Sequence, residues 1–457
     1  MNKKLNNKYQ KYRNNKIKIN TQMTSKSIVI KLGGTSQCKK AYDKLILYCD
    51  ELQKNSYAVF VILSAVSGVT NLLEKYTKTK DYTYIIDAIE LNERLIDELY
   101  PSNEFSENSM KPHSLLDKFE KELQQMITEY VNIDDIIIKS KIIGYGEIMS
   151  TNIFSIYYDS YNKNNKRVLM DSYKYINTKK KVYDLYPTVE FYCKEILQYS
   201  LVYIFQGFIA SDINNNPTLL GRGGSDTTGS LIANTVKAKR YEVWTDVDGI
   251  YTSDPRIVNS VQKITNISYG ICKEIAALGA KVMHPLSILP CEQKLIPIIV
   301  KSSFSDSDGT IISDINESHK IIAIQNDITL FNIKSENMWN AYGFVSDIFR
   351  RFSELQIDIN IITTSQFSIS TTTNEKNKYL LNKVFQHLES EYDCTMTNGC
   401  TIISVISDKI YDELNKLKLD YLNPEIIHIG SNNLSVNLVF KNKIKEEICE
   451  YINNFLI

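Results

Sequence analysis

Apolar residues recur along this chain with two different periods. SIVIKL (27–32) and YAVFVILSA (57–65) are short, almost continuous apolar runs, which predicts buried strands. Between them, over residues 39–54, Tyr42, Leu45, Ile46 and Cys49 return at helical spacing on one face. Strand, helix and strand in that order, with both strands apolar throughout, predict a largely parallel sheet covered by helices, an α/β fold. Residues 81–130 are helical in pattern with no sheet-like run, and further strands are predicted at 168–170, 201–205, 242–244 and 296–300. After about Gly309 the texture changes. IIAIQNDITLFNIK leads into a helix-like AYGFVSDIFRRFSEL and then IDINIITTS, and similar elements recur in TIISVIS and IIHIGSNNLSVNLVF. This end of the chain reads as two small βαβ-type modules, with a boundary near residue 315.

Composition narrows the class of molecule. A chain of 457 residues suggests about three domains. With 43% hydrophobic and 23% charged residues, neither disorder nor a fibrous repeat fits. The 53 basic side chains balance 53 acidic ones, so the basic excess of a nucleic-acid binder is missing. Eight scattered cysteines with no CxxC pair predict neither a zinc ribbon nor a disulfide scaffold, and fit a reducing compartment. No apolar window is long enough to predict a membrane span. The first 26 residues hold eight lysines and arginines and no acid, which predicts a mobile tail. The expected location is cytoplasmic; the alternatives are that this tail is an organelle-targeting peptide or that Met23 is the true start.

Chemistry concentrates in a few segments. LGRGGSDTTGS (220–230) sets four glycines around Arg222, Ser225 and Asp226, a composition suited to an anion-binding nest at a helix N-terminus. It is neither a Walker A loop nor GxGxxG, because Asp226 fills the last position. KLGGTS (31–36) ends the first strand with Lys31 two residues before Gly33 and Gly34, at the carboxyl end where open α/β sheets place ligands. WTDVDGIYTSDPRIV (244–258) offers Thr245, Asp246, Tyr251 and Arg256, suited to a nucleotide's base and phosphates. ALGAKVMHP (277–285) adds Lys281, and its His284 is expected to be a structural cap or core residue.

With SAVSGVTNLL, GYGEIMS, ISYG and IPIIVKSSF, these segments follow in order the motif series of the aspartate kinases, which the chain resembles over residues 27–312. The resemblance implies a monofunctional aspartate kinase of the amino-acid kinase family. Its fold would be a carbamate kinase-like α/β/α sandwich with a mostly parallel sheet, followed by two ferredoxin-like ACT modules. Expected boundaries are a tail to 26, a catalytic domain over 27–315, a first ACT module over 316–390 and a second, shortened one over 391–457. The implied reaction moves the γ-phosphoryl group of ATP, with Mg²⁺, onto the β-carboxylate of L-aspartate, the first step toward lysine, threonine and methionine.

Carried over residue by residue, the resemblance implies that Lys31 stabilises the phosphoryl group in flight and that Asp226 holds Lys31. Arg222 would bind the substrate α-carboxylate and Glu147 its ammonium, with hydroxyl contacts from Ser64, Thr70 and Ser225. Backbone N–H groups of Gly33, Gly34, Gly223 and Gly224 would cradle phosphates. Thr245, Asp246, Tyr251, Arg256 and Lys281 would line the nucleotide site, and no dedicated metal cage is expected. An amino-acid effector, lysine, threonine or another, is expected at Met338, Ala341, Gly343, Phe344, Asn360, Thr364 and Ser365, with Asn360 standing where lysine-inhibited relatives carry an acid. A homodimer or higher assembly through the ACT modules is implied. Asn92, Asp248 and Leu278 depart from the family pattern without touching the proposed chemistry. The rival readings are another amino-acid kinase, which Glu147 and Thr70 disfavour, and a silent ACT-type sensor, which retention of Lys31, Arg222 and Asp226 disfavours. A homoserine dehydrogenase fusion is not expected at this length.

Overall fold

The computed structural model describes residues 26–101, 107–130, 136–161, 167–179, 188–191, 201–258, 260–279, 283–315, 317, 319–334, 342–417, 422–430, 433–441 and 452. The expected tail over 1–26 lies outside them except for Lys26. The chain forms two compact units, one of residues 1–249 and 283–314, the other of 250–282 and 315–457.

In the first unit the predicted apolar runs are strands. They lie side by side in the order Thr310–Ser313, Ile298–Ser302, Arg240–Thr245, Ser27–Leu32, Ala58–Leu63, Val202–Gln206 and Arg167–Leu169. Every pairing is parallel except that of Ile298–Ser302 with Thr310–Ser313 at one end. Ile28, Ile30, Leu32, Val59, Val61 and Leu63 point to one face and pack into a single apolar cluster with the helices Lys39–Lys54, Val69–Thr79, Thr83–Leu99 and Ile136–Tyr161. Tyr42, Leu45, Ile46 and Cys49 are all fully buried in it, as their spacing predicts. The helix Gly224–Val236 packs against the strands Ser27–Leu32, Ala58–Leu63 and Arg240–Thr245. Because side chains alternate along a strand, Lys31 leaves the sheet on the face away from Ile30 and Leu32, and there it meets this helix. A small antiparallel sheet of Thr188–Phe191, Ile176–Lys179, Ile209–Ser211 and Pro217–Leu219 completes the unit, apart from one parallel contact between its second and third strands.

The second unit is built on one six-stranded antiparallel sheet in the order Ile362–Thr364, Ser368–Thr373, Lys320–Lys334, Asp393–Ser407, Ser435–Phe440, Ile426–Ile429. The expected modules are not consecutive stretches divided at residue 390. The two long strands each serve both cores, changing over at the irregular register between Gln325 and Leu330, where Asp327 has φ 59°. One half, with Phe331 and Ile333, packs under the helices Phe344–Glu354 and Lys378–Glu389. The other, with Ile322, packs with Ile403, Val405, Val436 and Leu438. Residues 250–258 also belong here rather than with the parallel sheet: Val258 joins that second core, and Ile322 N–H donates to the Thr252 carbonyl at 2.8 Å.

Candidate active site

Most of the motif residues of the first unit gather at the carboxyl end of its parallel strands. Lys31 is the penultimate residue of its strand, Ser64 and Ala65 follow Ala58–Leu63, and Thr245 ends Arg240–Thr245. Lys31 Nζ lies 2.7 Å from Asp226 Oδ1, and both side chains are largely shielded, at 12% and 14% exposure. Asp226 sits in the first turn of Gly224–Val236, where the helix dipole favours a negative charge. The start of that helix carries no side-chain cap; Gly223 holds it in the left-handed conformation with φ 66°. A Cβ on Gly223 would stand 2.3 Å from His284 Cβ, so only glycine fits. Of the N–H groups at this uncapped start, that of Gly224 donates to the Gly221 carbonyl at 3.0 Å.

Glu147 enters from the other side of the sheet end. Its helix, Ile136–Tyr161, comes close because Gly146 faces Ala65 and Val69: a Cβ there would lie 3.0 Å from side-chain atoms of each. Ala65 N–H donates to Glu147 Oε1 at 3.4 Å, and Oε2 is buried with no hydrogen-bond partner. Burial pushes the Glu147 carboxyl up to about 8, since water is removed from its charged form and only backbone N–H groups oppose the shift. The turn between Ser64 and this helix is braced by two polar contacts that sequence reasoning missed. Ser150 Oγ donates to the Ser64 carbonyl at 2.8 Å, and Gln37 Nε2 donates to the same oxygen at 3.0 Å. Thr70 lies in the first turn of Val69–Thr79, which also lacks a side-chain cap and follows Gly68 at φ 93°.

Arg222 is exposed beside the glycine loop and close enough to His284 to help lower that imidazole, although burial is the larger cause. His284 is the structural cap expected of it: its Nδ1 accepts from Leu286 N–H at 3.3 Å at the start of Pro285–Glu292. Gly33 N–H donates to the Trp244 carbonyl at 3.0 Å, which ties one glycine turn to the strand carrying Thr245. That N–H is therefore occupied by the fold. Thr245 Oγ1 donates to Asp246 at 3.1 Å. Tyr251 and Arg256 belong to the second unit, where Arg256 is exposed and paired with Asp254 at 2.7 Å, and Lys281 lies outside the described residues.

Of the expected effector residues, Met338 and Ala341 lie outside the described residues. Gly343, at φ 87°, precedes the helix Phe344–Glu354, and Phe344 meets Tyr392 edge to face at 5.2 Å. Asn360 N–H donates to the Thr372 carbonyl at 2.8 Å, and its side chain is exposed. Thr364 ends one strand of an exposed hairpin whose turn is closed by Ser365 and Ser368, with 2.7 Å between their hydroxyls.

A separate cavity of about 510 Å³ is lined by Lys44, Tyr48, Arg240, Glu242, Trp244 and Lys301, among others, and contains none of the loop residues. Its centre is Glu242, paired with Arg240 at 2.6 Å and Lys301 at 2.8 Å and bonded by Tyr48 and Trp244. Glu242 shares a sheet face with its register partner Ile30 and so points away from Lys31. Among the described residues no three His, Cys, Asp or Glu side chains are grouped to hold a metal ion, and no helix is long and apolar enough to cross a membrane.

Comparison with known proteins agrees with this architecture. The family model described as "Amino acid kinase family" matches residues 26–302. The lysine-sensitive aspartokinase 3 of Escherichia coli K12 is 27% identical over 84% of this chain and 88% of its own length. The chloroplastic aspartokinase 1 of Arabidopsis thaliana is 26% identical over 94% of this chain and 80% of its own. The crystal structure of E. coli aspartokinase III with aspartate and ADP aligns with a TM-score of 0.72 over 94% of this chain and 98% of that one, at 24% identity. By motif order, parallel sheet and glycine-loop helix, this chain is a member of the amino acid kinase family.

Proposed function

We propose that the chain is an ATP-dependent aspartate kinase. An oxygen of the substrate β-carboxylate attacks the γ-phosphorus, the bond from that phosphorus to the bridging oxygen breaks, and ADP leaves as 4-phospho-L-aspartate forms. Phosphoryl transfer of this kind needs positioning and charge neutralisation more than covalent help. Lys31 supplies a positive charge held by Asp226 at 2.7 Å, and the uncapped helix start beside it supplies N–H donors for anionic oxygens. Arg222 offers a planar fork to the α-carboxylate. Ser64, Thr70 and Ser225 lie in the turns and first helical turns around this point and supply hydroxyl contacts.

The observation that carries the reading is Glu147, a buried carboxylate with one oxygen left unpaired at the sheet end. Its ionised form is costly without a partner, so a cationic group would complete the site. An amino-acid substrate brings such a group, and the aspartokinase relatives name the amino acid. The test is Glu147→Gln: the Michaelis constant for aspartate should rise at least about tenfold while that for ATP changes less than about twofold.

ATP is the proposed phosphoryl donor, and Mg²⁺ is proposed to arrive on its phosphates. The described acids form no cage for the ion, and Mg²⁺ commonly binds through substrate phosphates with few protein ligands. Gly34 and Gly223 N–H groups with Thr245 and Asp246 are proposed to receive the nucleotide, the Gly224 N–H being already donated to the Gly221 carbonyl at 3.0 Å. An amino-acid effector is proposed at the six-stranded sheet near Gly343, Phe344 and Asn360, and assembly through that sheet is proposed with it. Because Asn360 is neutral, lysine inhibition should be weak, and Asn360→Asp should strengthen it about fivefold.

A further inference from the structure

Tyr173 lies outside every motif that carries the family resemblance, yet its surroundings hold it firmly. Asp171 caps the short turn Ser172–Tyr175 by accepting from Tyr173 N–H at 3.2 Å. The Tyr173 carbonyl accepts from Ser211 Oγ at 2.6 Å. Its neighbour Ser172 is bonded twice to Gln206, from N–H to the side-chain oxygen at 3.0 Å and from Oγ to the carbonyl at 2.7 Å. With the main chain fixed on both sides, the ring has little freedom.

The tyrosine tip is directed at the helix that carries Glu147. A Cβ on Gly144 would stand 2.5 Å from Ile209 Cγ2 and 3.1 Å from the Tyr173 hydroxyl, so the bare backbone at that position makes room for both and lets the hydroxyl lie against the helix. Gly144 and Glu147 are three residues apart and therefore on one helix face. The Glu147 charge is close enough to add to the effect of burial in raising the Tyr173 hydroxyl. Both tips, Tyr173 Oη and Glu147 Oε2, are buried with no hydrogen-bond partner. Buried polar atoms are almost always satisfied, so each of these two, one on the Gly144–Glu147 helix face and one against it, marks a place where a partner is missing. An ammonium group has three N–H donors and no acceptor, which suits one carboxylate oxygen and one hydroxyl.

We propose that Tyr173 is a substrate-binding residue, its hydroxyl accepting one N–H of the substrate α-ammonium group while Glu147 Oε2 accepts another. This rests on the aspartate kinase reading and adds to it a contact that the motif series does not contain.

The experiment is steady-state kinetics on Tyr173→Phe, which keeps the ring and removes only the oxygen, alone and combined with Glu147→Gln. The expected result is an aspartate Michaelis constant raised about tenfold, with kcat and the ATP Michaelis constant within about twofold and an unchanged melting temperature. In the Glu147→Gln background the same change should have less than about a third of its effect, because the two acceptors share one ligand group. An unchanged aspartate constant would overturn the proposal and leave Tyr173 as a space-filling ring, as would full additivity with Glu147→Gln. A rise that comes with an equal loss of ATP affinity or a lowered melting temperature would also overturn it. A wild-type enzyme that turns over no aspartate would instead remove the reading on which it rests.

Discussion

Lys31 and Asp226 come from the first strand and from a helix much later in the chain, and they meet at 2.7 Å on the face of the sheet opposite its main helical cluster. Removing either partner leaves a shielded charge without its counter-ion and removes the cation from the phosphoryl path. Lys31→Ala should lower kcat by at least about 100-fold, and Asp226→Ala should do nearly the same. The double variant should lose little more than either single one, because the pair acts as a unit. Initial-rate kinetics at saturating ATP check all three.

Glu147 predicts a pH dependence of defined sign. With its carboxyl near 8, the free enzyme holds it protonated at neutral pH, and only the ionised form pairs with an ammonium group. The aspartate Michaelis constant should therefore fall as pH rises from about 6.5 toward 8.5, and Glu147→Gln should flatten the profile. Stability runs the other way. A folded-state value raised above the unfolded value of 4.5 gives stability that is complete below 4.5 and is lost as pH rises through about 8. Glu147→Gln should consequently be more stable than wild type at pH 8, by on the order of 2 kcal/mol, with the advantage shrinking toward pH 4.5 in thermal melts.

Gly223 and Gly221 both have positive φ, at 66° and 77°, but differ in their surroundings. A Cβ at Gly223 collides with His284, whereas one at Gly221 meets nothing within 4 Å. Gly221→Ala should cost about 1 kcal/mol from the backbone alone and retain activity. Gly223→Ala should cost at least about 2 kcal/mol more and displace the helix start, with a large loss of activity. Denaturant unfolding and kcat on the two variants separate the cases.

The Glu242 network is predicted to be structural. Burial acts to raise its carboxyl, but Lys301 and Arg240 outweigh that and hold it below the usual range. Lys301 also lies 4.8 Å from the ring centroids of both Tyr48 and Trp244. Lys301→Met should lower stability by about 2–4 kcal/mol because it strands part of a buried charge, while the Michaelis constants stay within about twofold. Chemical denaturation with parallel kinetics checks this.

Much of this was legible from periodicity and motif order. Continuous apolar runs announced the parallel strands, and Tyr42, Leu45, Ile46 and Cys49 announced the helix that covers them. What could not be read were relations set by packing across the fold. Gln37 and Ser150 brace one carbonyl from two different elements, and Glu242 finds Arg240 two residues away but Lys301 on another strand. The second unit misled for a topological reason, since Lys320–Lys334 and Asp393–Ser407 each cross from one core to the other within one strand. A signal for Tyr173 was present only indirectly, in the two glycines of GYGE that leave room for the side chains around Glu147.

The most direct test of the central claim is ADP release by the purified full chain with ATP and Mg²⁺, offered aspartate, glutamate or no acceptor, with hydroxylamine added to trap an acyl phosphate. The account predicts ADP release that depends on aspartate, an equal amount of aspartyl hydroxamate, and little of either with glutamate. Equal rates with all three, or release without hydroxamate, would contradict it.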